Sequence, residues 1–156
     1  MRPLGIATFA VKPIGLGTDD RGDGVWVQQR ALDKAIDPRR RDMLAGGLMA
    51  AGATPRYALE RKTWEEAGLR IADLQDLRPM ERLTIRRPVS EGYLVEHIDV
   101  FEAVVPEALL LANQDGEVER FECVAPEALA DRLAQRRFTL EAALMLAASL
   151  LRRGLL

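Results

Sequence analysis

The chain has 156 residues, which suits one domain with a single core, and its 48% hydrophobic and 29% charged residues are ordinary globular composition that argues against disorder. A net charge of −2 gives no general pull toward nucleic acid or a membrane surface, and no apolar run approaches the roughly 20 residues of a membrane span. Cys123 is the one cysteine, so an internal disulfide is excluded and a cytoplasmic setting is the default. Gly15, Gly17 and the TDDRGDG stretch break the N-terminal region too soon for a secretory leader, and neither repeats nor low-complexity segments are present.

In chain order, residues 4–11 (LGIATFAV) read as a strand and residues 14–24, rich in glycine and aspartate, as a hairpin loop. VWVQQR at 25–30 is the return strand, with Val25 and Val27 on one side and Trp26 and Gln28 on the other. Residues 31–43 read as a loop. Its run Arg39, Arg40 and Arg41 is either a solvated surface or a phosphate contact, to which arginine is suited by geometry.

Residues 46–69 (GGLMAAGATPRYALERKTWEEAGL) spell a glycine turn, a short loop, a helix and a glycine stop. Thr54 suits the N-cap and Pro55 the first helical position, where its missing N–H costs nothing. Residues 56–67 contain no Gly or Pro, and Gly68 supplies a left-handed cap. Glu65 and Glu66 are adjacent carboxylates, which repel unless a positive group lies near; a hard divalent cation is one such group, and plain solvation is the alternative. Residues three and four apart share a helix face, so Lys62 points at Glu65 and Glu66. Glu60 lies roughly 140° round the helix from Glu65.

Strands follow near 70–78 and 80–86, interrupted or bent by Pro79, and RRPVSEG reads as a turn or loop. The longest strand is predicted at 93–105, ended by Pro106. NQDGE is a turn and VERFECV a strand. A helix starts at Pro126, and a second amphipathic helix spans 139–153 before Gly154. Strands interrupted by one helix and followed by two more suggest a mixed sheet with helices on its faces.

The glycine–helix–glycine stretch resembles the Nudix box, G-x5-E-x7-R-E-U-x-E-E-x-G-U with U a bulky aliphatic. Gly47, Arg61, Glu65, Glu66, Gly68 and Leu69 match it; Ala53, Lys62 and Thr63 do not. The flanking GVWVQQR and NQDGEVERFECV stretches are similar to the family's neighbouring strands, and the QQRALDKAIDP and AGG lead-in resembles the branch of the Nudix domain attached to fungal thiamine pyrophosphokinase. The resemblance implies a single Nudix domain over 1–156, an α/β/α sandwich with a mixed sheet. It implies hydrolysis of a nucleoside-diphosphate-like or other small-molecule diphosphate, with Mg²⁺ or Mn²⁺ as cofactor. Glu65, Glu66 and Arg61 become the catalytic candidates, Glu65, Glu66 and Glu117 the metal ligands, and Gly47, Lys62 and Arg41 the substrate contacts. Many such domains pair, so a homodimer is expected.

Lys62 stands where the family has a glutamate that binds metal or acts as base. The formal charge of positions 62, 65 and 66 falls from about three negatives to about one, which weakens attraction for a divalent cation. An impaired, diphosphate-binding module is therefore the competing reading, and a scaffold using the fold alone is a third. Asp115, Glu117 and Glu119 lie where such proteins recruit a further acid; a solvated turn is the alternative. His97, the single histidine, reads as a structural residue without a Ser–His–Asp pattern. Cys123 reads as buried and inert, and Trp26 and Trp64 as packing residues or ring contacts.

Overall fold

The computed structural model describes residues 7–19, 22–30, 41–90 and 92–154. Residues 4–6 of the first predicted strand, and Arg39 and Arg40, lie outside the described residues. Strand β1 (Thr8–Asp19) and strand β2 (Gly22–Arg30) pair antiparallel from Gly15↔Trp26 to Asp19↔Gly22. Most of the loop expected at 14–24 is therefore strand. The glycines there answer to packing rather than to turning: a Cβ at Gly17 would lie 2.2 Å from Trp26 Nε1, and one at Gly24 would lie 2.6 Å from the Val124 carbonyl oxygen.

β3 (Arg41–Met43) pairs with β2, which corrects the end of the loop expected at 31–43, and the two-residue β4 (Gly47–Leu48) pairs with β1. Helix α1 (Pro55–Ala67) follows, then a 3-10 turn at Ile71–Asp73. β5 (Gln75–Val89) replaces the two strands expected near 70–78 and 80–86, and absorbs the RRPV of the expected loop. Pro79 does not end it. The pairing slips on either side of Pro79, and β5 lies at the edge of the sheet, where a missing N–H is tolerated. β6 (Gly92–Val104) pairs antiparallel with β5 and parallel with β1, and β7 (Val118–Val124) pairs with β2.

The result is a mixed sheet, as expected, and its main strand order is β3-β2-β1-β6-β5. Helices α2 (Pro126–Ala134) and α3 (Leu140–Arg152) pack on a core of Ile14, Val27, Met43, Ile98, Leu129 and Met145. A smaller apolar cluster, Leu44, Ala67, Leu69 and Val105, lies at the end of α1. Among the described residues no helix is long and apolar enough to cross a membrane.

α1 starts where local chemistry says it should. Thr54 Oγ1 accepts from Tyr57 N at 3.1 Å, and Gly68 is left-handed at φ 66°. Its final carbonyls, which no intrahelical donor can reach, are met by the loop before β7. Gln114 N donates to Glu65 O at 2.9 Å, Asn113 Nδ2 to Glu66 O at 3.0 Å, and Ala112 N to Ala67 O at 2.8 Å. Two backbone donors and the Asn113 amide thus hold the expected acidic turn against the end of the box helix.

Candidate functional site around the acidic pair of the first helix

Glu65 and Glu66 diverge, because neighbouring helical residues are about 100° apart. Glu66 turns inward and is buried. Its Oε1 accepts from Gln28 Nε2 at 2.9 Å and its Oε2 from Gly46 N at 3.2 Å. Burial pushes the Glu66 carboxyl up from the ordinary 4.5 to about 7. The Gln28 amide and the Lys12 ammonium oppose that rise, the Asp42 charge adds to it, and the Gly46 N–H opposes it.

Glu65 stays half-buried between two cations. Lys62 Nζ lies 3.5 Å from its Oε2, and Arg61 Nη1 lies 3.4 Å from its Oε1. The expected reach of Lys62 toward the acidic pair is met at Glu65. Gly47 leaves room for this lysine: a Cβ there would lie 2.7 Å from Lys62 Cε.

A pair on β1 and β3, with Asp42 buried and Lys12 part-buried, completes the site. Lys12 Nζ donates to Asp42 Oδ1 at 2.9 Å and to Oδ2 at 3.0 Å, and Asp42 Oδ1 also accepts from Met43 N at 2.8 Å. Burial by itself would lower the Lys12 pKa. The bonded Asp42, with Glu66 and Glu141 beyond it, raises it overall, so Lys12 remains an ammonium.

The expected metal set of Glu65, Glu66 and Glu117 is not assembled. Among the described residues no three His, Cys, Asp or Glu side chains are gathered to hold an ion. Glu66 already accepts from Gln28 and Gly46, and Glu65 faces Arg61 and Lys62. In formal charge, Lys12, Arg61 and Lys62 match Asp42, Glu65 and Glu66 one for one. The carboxylates as folded therefore do not fit a divalent cation, which needs several free oxygens aimed at one point.

Arg41 lies apart from this cluster. By strand alternation Arg41 and Met43 share the face covered by α2 and α3, whereas Asp42 and its partner Gln28 share the other. Arg41 Nη1 is 3.6 Å from Glu122 Oε2, and Glu122 also takes a two-pronged contact from Arg132 at 2.7 and 2.8 Å. In the loop before β7, Asp115 Oδ1 accepts from Asn113 Nδ2 and Glu117 N, and Glu119 accepts from Gln29. His97 Nδ1 meets Thr84 Oγ1 at 2.9 Å and its ring lies 5.1 Å from that of Phe9, a structural setting. Cys123 is buried. Trp26 packs into the small cluster, while exposed Trp64 carries the Arg70 guanidinium over its ring at 5.2 Å.

Sequence reasoning missed Lys12, Asp42 and the role of Gln28. A signal was available: a lysine between Val11 and Pro13 of an apolar strand must be paired if buried. Gln28, alternating with Val25 and Val27, faces the same side as α1.

The family described as NUDIX domain matches residues 14–144. No curated protein is similar enough to the chain to count as a relative. Among solved structures, DR0079 from Deinococcus radiodurans is 21% identical, with a TM-score of 0.72 over 90% of this chain and 82% of its own. The NUDIX domain of Shewanella oneidensis NrtR, complexed with ADP ribose, is 13% identical, with a TM-score of 0.72 over 96% and 90%. The C. elegans Ap4A hydrolase is 14% identical, with a TM-score of 0.64 over 93% and 98%. At such identities the likeness is one of fold.

Proposed function

The chain belongs to the NUDIX domain family, and from that premise we propose that it is an attenuated Nudix pyrophosphohydrolase acting on a small-molecule diphosphate, nucleoside-diphosphate-like or related. Support for the substrate class comes from the fold it shares with an Ap4A hydrolase and with a domain holding ADP ribose. The lead-in to the box keeps the thiamine pyrophosphokinase-associated branch as our choice within the family.

One observation carries the attenuation: an ammonium, that of Lys62, lies 3.5 Å from Glu65 where the box pattern has a carboxylate. Diphosphate hydrolysis needs water directed at phosphorus and neutralisation of the charge that develops on the leaving phosphate. In this reading Glu65 and Glu66 are the catalytic carboxylates and Arg61 steadies Glu65. Lys62 of α1, whose stem lies against Gly47, meets a phosphate. Arg41 drops out, because it is engaged with Glu122 on the other face. No step is assigned to Mg²⁺ or Mn²⁺, which the carboxylates as folded do not fit.

The engagement of both Glu66 oxygens favours a second reading, a module that binds a diphosphate without cleaving it. Phosphate release and thermal shift across a panel of diphosphates, with and without Mg²⁺ or Mn²⁺, separate the two. We expect stabilisation by at least one compound and slow release that Lys62→Glu accelerates. Binding with no release in either protein selects the module. A fast wild type that Lys62→Glu slows contradicts attenuation and makes Lys62 part of the working site.

A further inference from the structure

We infer that Lys12 is a built-in counter-cation of this box: with Lys62 it neutralises the carboxylates around the Gly46–Gly47 turn, so that the fold around α1 stands without a divalent ion. The two glycines make the arrangement possible. A Cβ at Gly46 would lie 2.9 Å from Lys12 Cγ, and a Cβ at Gly47 would lie 2.7 Å from Lys62 Cε. Each glycine therefore leaves space for one lysine stem. Gly46 also sits at φ 147°, a backbone state that disfavours side chains, and its N–H donates to Glu66.

The ammonium groups reach different carboxylates. Lys12 holds both oxygens of buried Asp42 and lies within electrostatic reach of Glu66 and Glu141. Lys62 lies against half-buried Glu65. A lysine is rarely sheltered from water unless paired, and removing one member of such a pair leaves the buried partner charge less compensated. Deleting the Lys12 ammonium should therefore leave the Asp42 charge without its bonded cation, a deficit that an added divalent cation can relieve. The inference concerns the resting fold and not turnover, so it and the hydrolase reading can fail separately.

Thermal unfolding of the intact chain in EDTA and in millimolar Mg²⁺ tests it. Wild type is expected to melt within about 1 °C of the same temperature in both. Lys12→Met is expected to melt lower in EDTA by roughly 6–15 °C and to regain part of that loss saturably with Mg²⁺. The double variant Lys12→Met/Asp42→Asn is expected to recover stability and lose the Mg²⁺ response, because the Asp42 charge is gone. A wild-type transition that rises saturably with Mg²⁺ overturns the inference, as does a Lys12→Met chain that melts like wild type or ignores Mg²⁺. If Lys12→Met does not fold in either buffer, the double variant decides. A cooperative transition there supports the pairing role, and failure to fold contradicts it.

Discussion

Glu66 makes stability depend on pH with a definite sign. Its folded pKa, about 7, lies above the ordinary 4.5, so the folded chain holds this proton more tightly than the unfolded chain does. The associated stability is fully present below about pH 4.5, is lost as pH rises to about 7, and changes no further above that. Glu66→Gln removes the ionisable group while keeping an acceptor for Gln28. Relative to wild type, the variant is expected to gain on the order of 3 kcal/mol between pH 4.5 and 7 and to hold that gain above. Urea unfolding across that range checks it, and parallel curves for the two proteins would refute it. Thr63 offers a second test: it is fully buried, and its Oγ1 has no hydrogen-bond partner among the described residues. Thr63→Val keeps the shape and removes the hydroxyl, so denaturant unfolding should show stability rising by about 1 kcal/mol; a loss of that size would mean that the hydroxyl is satisfied. The Lys62–Glu65 contact was legible in helical spacing alone, since it joins residues three apart. The Lys12–Asp42 contact was not, because it joins residues 30 apart through strand pairing that no local pattern encodes.

At the scale of elements, the end of α1 and the loop before β7 form one unit. Gly68 is its hinge point: φ is 66°, and a Cβ would lie 2.4 Å from the Ala112 carbonyl oxygen. Gly68→Ala must distort that approach, so we expect a loss of roughly 2 kcal/mol or more. Hydrogen exchange should show the Ala112 and Gln114 amides, which donate to Ala67 and Glu65, exchanging faster than in wild type. Unchanged protection at both would show that the loop docks without the glycine. The boundaries of α1 were readable because its start and stop signals, Thr54, Pro55 and Gly68, act within a single turn. The β1–β2 hairpin follows from the sequence, but its strands run through the loop expected at 14–24 because the glycines there are set by partners in other strands, Trp26 and Val124. β5 was split in the reading because Pro79 breaks a central strand, and nothing in the sequence says that this strand is at the edge.

For the whole molecule, the fold class was legible from the box and its flanking strands, but the site's charge balance was not. It depends on cations from β1 and α1 meeting acids from α1 and β3. Assembly is open to a direct test. The free edge of β5 carries Pro79 and Pro88 with exposed Arg78, Arg82 and Arg86, features that oppose strand-to-strand pairing. If the homodimer expected from the sequence forms, it should use another surface, so Arg82→Ala should leave a sedimentation-measured dimer intact; a monomer at every concentration removes the dimer altogether. The central claim is that internal cations occupy the acidic box. Isothermal titration of Mg²⁺ into wild type and Lys62→Glu addresses it most directly. Replacing the ammonium by a carboxylate changes the local charge by about two, and the variant should bind Mg²⁺ at least about tenfold more tightly. Wild type binding Mg²⁺ as tightly as Lys62→Glu, or more tightly, would contradict it.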